Sequence, residues 1–214
     1  MFLLMTKSKN MKNNIRIAKI DDSTSIFEMI YSSGPDLYDF LYLSSNKSAK
    51  EYIAFEFKSG RGFGGYQNVT VITDGNEILG TGCFYSGKAV KDLISGTIKN
   101  IFKFYGVFAG FKIIFRMRHI KLIIKEPLDD ELYLSNFGVD KNMRGTGIGR
   151  YFLMEKIAEA RDQGYRIISL DVSDQNPRAE KLYESLGFEL IEIKYFSKKY
   201  PDVGNAKKME LRLN

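Results

Sequence analysis

A single cysteine, Cys83, and a single histidine, His119, rule out an intramolecular disulfide and any zinc-type ligand pattern in this 214-residue chain, so no metal site is expected. Cys83 sits in the strand-like run EILGTGCFY, where a small buried apolar residue is a better fit than a nucleophile. One lone thiol suits a reducing compartment, and a cytoplasmic location is the expectation. Long apolar runs are also missing. Nothing approaches the roughly 20 residues of a transmembrane helix. The start, MFLLMTKSKNMKNN, has too short an apolar stretch and no small-residue cleavage site for a secretory signal, so residues 1–13 read as a loose tail. Repeats and low-complexity linkers are absent, which leaves one domain over residues 14–214. No sign of charge dominates. Thirty-two basic and 26 acidic residues give +6, spread along the chain, a weak bias toward anionic ligands that does not point to nucleic acid.

What is present is an ordinary 44% of hydrophobic residues, enough to bury a core, arranged in alternating patterns. NIRIAKI (14–20) reads as a strand, DDSTSIFEMIYSS as a capped helix ended by Gly34-Pro35, and residues 35–59 as one or two helices. NVTVITDGNEILGTGCFY is a hairpin turning at Asp74-Gly75. ELYLSNFGVD is a further strand. Residues 144–163 read as a helix stopped by Gly164, and YRIISLDV as a buried strand. NPRAEKLYESLG is a short helix with Pro177 in its first turn and Gly187 past its end. FELIEIKYF and KKMELRL close the chain as strands. The order gives an α+β fold.

Four glycines fall between Gly138 and Gly149, directly before a helix pattern. Glycine is the residue most costly in entropy to order, so such a cluster needs a reason. Strand, glycine loop, helix provides one. The first turn of a helix carries amides without intrahelical acceptors and the positive end of the dipole, and a pyrophosphate can accept several of those N–H groups at once. Two other phosphate loops fail by letter: RGTGIGRYF lacks the Gly-Lys-Ser/Thr of a Walker loop, and GTGIGR lacks the GxGxxG spacing. Arg144, at the loop, favours phosphate over a plain turn.

These residues resemble the GNAT superfamily of N-acyltransferases. Arg144, Gly147 and Gly149 fit its acyl-CoA signature, Arg/Gln-x-x-Gly-x-Gly/Ala. LDVSDQNPRAEKLYESLGFE is similar to its second signature through Asn176, Ala179, Leu182-Tyr183 and Gly187-Phe188. The motif-bearing match covers about residues 132–196; residues 14–86 agree in element order, and 87–126 have no counterpart. The resemblance implies a three-layer α/β sandwich with a mixed, mostly antiparallel central sheet, helices on both faces, and a parallel strand pair, 132–139 and 166–172, that splays apart to admit acetyl-CoA. It implies that backbone groups of Phe137 and Val139 hold the pantetheine, that an amide near Phe137 polarises the thioester carbonyl, and that the loop Arg144, Gly145, Thr146, Gly147, Ile148, Gly149 and Arg150 holds the pyrophosphate. Asn176 would reach the coenzyme arm, and is also the expected N-cap before Pro177. Tyr183 is the implied acid for the departing thiolate, a phenol of pKa ~10; an aromatic packed beneath the helix is its alternative. A lysine-like amine, pKa ~10.4, costs about 4.6 kcal/mol to deprotonate at pH 7. Asp171, five residues before Asn176, is the candidate base, directly or through water, with a solvated strand residue as the alternative. Asp130 and Glu131 stand as fallbacks.

Residues 87–126 form an aromatic, basic helical segment. From Lys88 to Lys125, seven lysines and two arginines face one aspartate, a local balance of +8. Ile98, Ile101, Tyr105, Phe108 and Phe115 recur at roughly helical spacing. The expected fate is a helix packed on the sheet with solvated lysines, combined with a basic border to an acceptor site suited to an anionic acceptor. A peripheral membrane contact is the third reading. The functional expectation is an acetyl-CoA-dependent N-acetyltransferase acting on a primary amine by direct attack, without a metal. A homodimer is common in such folds. Its rivals are a non-catalytic acyl-CoA-binding module and a nucleic-acid-associated protein using the basic segment; the strand patterns of known RNA-binding modules are missing.

Overall fold

The computed structural model describes residues 14–213; the expected tail, 1–13, lies outside the described residues. Seven strands form one sheet: β1 (Ile15–Ile17), β2 (Val69–Asp74), β3 (Glu77–Tyr85), β4 (Glu131–Val139), β5 (Ile167–Ser173), β6 (Glu189–Lys194) and β7 (Ala206–Arg212). Their order is β1-β2-β3-β4-β5-β7-β6. Every neighbouring pair is antiparallel except β4 and β5. β1 is shorter than the seven-residue run that alternates in sequence. Its Arg16 instead grips Asp22 through two bonds of 2.6 and 3.0 Å, which turns the chain into α1 (Ser23–Ser32).

The 35–59 stretch divides into α2 (Pro35–Tyr42) and α3 (Ala49–Ser59). α3 opens with a reciprocal capping box between Ser48 and Glu51. These helices cover one face of the sheet, where Ile26, Ile30, Phe57, Val69 and Val71 are buried together. The other face is covered by α5 (Ile148–Asp162) and α6 (Pro177–Glu184), with Phe152, Leu153, Leu170, Tyr183 and Met209 in its core. Helices therefore lie on both faces of a mixed sheet.

The basic segment is α4 (Gly87–Met117), broken at Gly106, whose φ of 76° and ψ of 178° no helix accommodates. The second arm folds back on the first, with the Phe102 and Phe111 rings 5.1 Å apart. Ile101 and Ile113 are the buried contacts of this elbow with α2 and α3. The Arg116 guanidinium donates to the carbonyls of Phe40, Leu41 and Leu43, satisfying the open C-terminus of α2. Of the expected apolar stripe, Ile101 and Tyr105 pack against α2 and α3, while Ile98, Phe108 and Phe115 are exposed.

Candidate active site

β4 and β5 pair in parallel from Glu131–Ile167 to Leu134–Leu170 and then separate. The cause lies on the opposite edge of β4. The β3–β4 ladder shifts register between Thr81 and Cys83, and across from that shift Asn136 adopts φ 54°, the one non-glycine residue with positive φ among the described residues. A bulge of this kind bends its strand and increases its twist. The Tyr38 hydroxyl of α2 donates to Asn136 Oδ1, pinning the bulge from the helical layer.

The gap opens onto the loop before α5. Asp140 Oδ1 accepts from the Asn142 amide at 2.8 Å and Thr146 Oγ1 donates to the Met143 carbonyl at 2.7 Å, closing a tight turn. Gly145 and Gly147 follow at φ 87° and 92°, which a side chain would strain. The helix consequently starts at Ile148 rather than at Arg144. Its first internal bond runs from the Tyr151 amide to the Gly147 carbonyl, 2.9 Å, so the amides of Ile148, Gly149 and Arg150 precede it and have no intrahelical acceptor. The cleft beside them, about 320 Å³, is lined by Arg144, Arg150 and Arg178 and, among the described residues, by no carboxylate. Arg144 is steadied by the Val139 carbonyl (3.1 Å) and Ser32 Oγ (3.3 Å), and Arg150 by Ser185 Oγ (2.7 Å). Three guanidiniums, a helix dipole and free amides converge on one spot.

A second cavity of about 290 Å³ shares Ser32, Ser33 and Asn176 with this cleft. Among the described residues its charged lining is Asp36 and Asp171, with no basic side chain. Asp171 is not a solvated strand residue. It is buried, with Oδ1 3.0 Å from Lys194 Nζ and Oδ2 accepting from the Tyr133 hydroxyl at 3.0 Å. Burial pushes its carboxyl above the usual carboxylate range, outweighing the opposing pull of Lys194 and Tyr133. Lys194 Nζ also donates to the Ile123 carbonyl at 3.2 Å, which fixes the turn after α4 against this cavity. Tyr183 lies under the gap, its ring 6.4 Å from Phe137 and 5.8 Å from Phe188. Burial raises its phenol above the ordinary value, so it stays protonated at neutral pH.

The sequence model of the acetyltransferase (GNAT) family matches residues 35–188, more than two thirds of the 214 residues. The chain belongs to this family. Among curated relatives, a mycothiol acetyltransferase of Thermobifida fusca (strain YX) is 40% identical over 67 residues, covering 31% of this chain and 20% of that protein. The N-acetyltransferase 8B of Homo sapiens is 39% identical over 69 residues, covering 29% of this chain and 30% of that protein. The chain thus spans less than a third of the length of these relatives. Among solved structures, an N-acetyltransferase from Staphylococcus aureus Mu50 superposes with a TM-score of 0.64 at 20% identity, covering 92% of this chain and 99% of its own. The yncA protein of Salmonella typhimurium, solved with its cofactor acetyl-CoA, gives 0.51 at 18% identity, covering 94% and 93%. These likenesses are to the fold.

In this GNAT member, Phe137, Val139, Arg144, Gly145, Gly147, Gly149, Arg150 and Asn176 line one cleft. Asn176 is also the N-cap of α6, its Oδ1 accepting from the Ala179 amide at 3.1 Å. The Thr146 hydroxyl is spent on the loop and the Ile148 side chain is buried against Phe152 and Leu79, which leaves their backbone amides as the groups the loop can offer. Asp171 borders the second cavity and Tyr183 sits beneath the first. Asp130 and Glu131 lie at the far end of β4, engaged with Arg166 and Lys208, and do not reach the gap. His119 packs edge-on against Phe40. Sequence reasoning missed Arg178, although it stands two residues after Asn176 within the quoted motif. It also missed Ser32, Lys194 and the Tyr38–Asn136 pair, which carry no local signal.

Proposed function

We propose that this protein is an N-acetyltransferase that moves an acetyl group from acetyl-CoA to a primary amine by direct attack. The observation that carries the reading is the gap between β4 and β5 opening onto three arginines and the unpaired amides of α5. Residues of the cleft fit the donor: amides of Ile148–Arg150 with Arg144 and Arg178 for the pyrophosphate, the β4 edge at Phe137 and Val139 for the pantetheine, and Asn176 between the two cavities. Bound there, acetyl-CoA supplies a thioester whose carbonyl carbon the amine attacks, giving an amide and a free thiol. A backbone amide at the Asn136–Phe137 bulge stabilises the carbonyl oxygen as it gains charge. Tyr183 gives its proton to the departing sulfur, a phenol being protonated at pH 7. Asp171 takes the amine proton through a water, because both of its oxygens already hold a protein partner and burial makes it a better acceptor than a free aspartate.

The acceptor cavity, with Asp36 and Asp171 and no basic lining, favours a cationic amine over an anionic acceptor. The 87–126 segment does border it, through Ile123 and Ile124 rather than through its lysines. Among the described residues no group of three or more His, Cys, Asp or Glu side chains could hold a metal ion. The lone buried Cys83 and the proposed use of coenzyme A support a cytoplasmic location. A homodimer would form along the exposed edge of β6, where Leu190 and Ile191 face solvent.

Calorimetry with coenzyme A, together with thiol release from acetyl-CoA in the presence of a panel of diamines and peptide amines, tests the reading. Saturable binding and amine-dependent thiol release are expected. Failure of well-folded protein to bind coenzyme A at millimolar concentration sinks it; binding without release for any amine leaves the non-catalytic module.

A further inference from the structure

The elbow of α4 presents a surface that the catalytic reading does not use. Gly106 ends the first arm, and the second arm begins with Val107 and Phe108 at the tip. Val107, Phe108, Phe111 and Phe115 are 61%, 89%, 61% and 58% exposed. Their spacing places them on one face of the second arm. An aromatic left 89% in water at a helical tip contributes nothing to the core, and contiguous exposed apolar patches of this kind mark contact sites.

Charge narrows the occupant. Between Leu93 and Lys125 the chain has seven Lys and Arg residues and no Asp or Glu. Arg116 is consumed in capping α2. Lys112 follows Phe108 by one turn and is exposed, and the Arg118 guanidinium lies 4.0 Å over the Phe115 ring. The apolar face is therefore flanked by cations with no anion near it in sequence. A second copy docked by two-fold symmetry would set these cations against each other, with no carboxylate of the segment to separate them. A protruding aromatic wedge within a basic collar instead matches a bilayer interface. Rings enter the acyl boundary while lysines and arginines meet anionic headgroups. Among the described residues no helix is long and apolar enough to cross a membrane, so the contact is with the surface.

We infer that the Val107–Arg118 arm docks this protein on an anionic phospholipid membrane. Ile123 and Ile124, five or six residues beyond the arm, line the acceptor cavity, so docking holds that cavity close to the bilayer. The inference stands on the elbow alone and does not depend on the acetyl-transfer reading.

Co-sedimentation of the full chain with vesicles tests it, using phosphatidylcholine alone and phosphatidylcholine with about one third phosphatidylserine. The expected result is at least about tenfold tighter binding to the anionic vesicles, weakening as salt is raised. Phe108→Ser with Phe111→Ser should lower the anionic-vesicle affinity about tenfold. Lys112→Gln with Arg118→Gln should lower it about twenty-five-fold, near fivefold per cation. All four side chains are outside the cleft, so coenzyme A binding and the circular dichroism spectrum should not change and report correct folding. Equal binding to both vesicle types, no binding to either, or unchanged binding by both variants overturns the inference. So does tighter binding of a uridine homopolymer that the same substitutions abolish, which would give the face to nucleic acid. A concentration-dependent dimer lost in the Phe108→Ser variant would give it to a second copy.

Discussion

Replacing Lys194 by methionine removes the cation facing Asp171 and keeps most of the side-chain volume. Both partners are deeply buried, with 8% and 4% of their side chains exposed. Stranding one member of a buried pair typically costs about 3–5 kcal/mol. An independent ceiling comes from the alternative open to the variant, which is to protonate Asp171. Neutralising a carboxylate of pKa ~3.9 costs about 4 kcal/mol at pH 7 but only about 1.5 kcal/mol at pH 5. The electrostatic loss in Lys194→Met should therefore be about 3–4 kcal/mol at pH 7 and shrink by about half or more at pH 5. The direction follows from linkage. The folded-state carboxyl lies above its unfolded value, so its contribution is complete below the unfolded pKa and is lost as pH rises through the folded one. Losing the bond to the Ile123 carbonyl adds about 1 kcal/mol at either pH. Urea denaturation of the wild type, Lys194→Met, Asp171→Asn and the double variant at both pH values measures each term. The double variant should recover most of the electrostatic loss, because no charge is left stranded. A Lys194→Met loss below about 1 kcal/mol, equal at the two pH values, would refute the claim that this pair is mutually dependent.

Tyr183→Phe should lower kcat by about 10²-fold and leave the KM for acetyl-CoA within about twofold; unchanged turnover at every pH would remove Tyr183 from the reaction. Arg178→Ala should raise the KM for acetyl-CoA about tenfold with little effect on kcat, yet leave turnover of S-acetylpantetheine, which lacks the pyrophosphate, unaffected; equal effects on both donors would place Arg178 elsewhere. Glu56 is buried, accepting from Thr97 Oγ1 at 2.6 Å and from the Tyr52 hydroxyl at 3.3 Å, and burial raises its carboxyl pKa. Its stabilising contribution is full below the unfolded value of about 4.3 and is lost as pH rises through the folded value, so Glu56→Gln should flatten the fall in urea midpoint as pH rises above about 4.3.

The parts of the site that were legible in sequence are those set by chain-local physics. Asn176 is a cap because its oxygen reaches the Ala179 amide three residues on. The hairpin at Asp74-Gly75 and the stop at Gly164, φ 79°, follow from backbone freedom at glycine. The helix start was misplaced by four residues, because glycines at 145 and 147 read as a motif without showing that their positive φ excludes helix. The bulge had only a weak local signal: asparagine tolerates a left-handed φ better than other non-glycine residues, but the Tyr38 bond and the β3 register that hold Asn136 there lie far off in sequence. Lys194 reaches Asp171 from another strand 23 residues later, and no periodicity announces such a pair. The apolar spacing in 87–126 did identify a helix, but the kink at Gly106 redirected its face, and spacing alone cannot tell a core from a surface.

The placement of β7 between β5 and β6 has a consequence for how the molecule is made. β6 leaves the ribosome before β7, yet among the described residues β7 is its one strand partner. Until residues 206–212 thread between the two older strands, β5 has a raw edge and residues 189–194 have nothing to ladder with. Asp171 and Lys194 then sit on segments that nothing yet holds in register. The wall of the acceptor cavity is accordingly the last piece to set. Ribosome-stalled chains ending before Ala206 should carry an assembled glycine loop and α5 while lacking the buried ion pair.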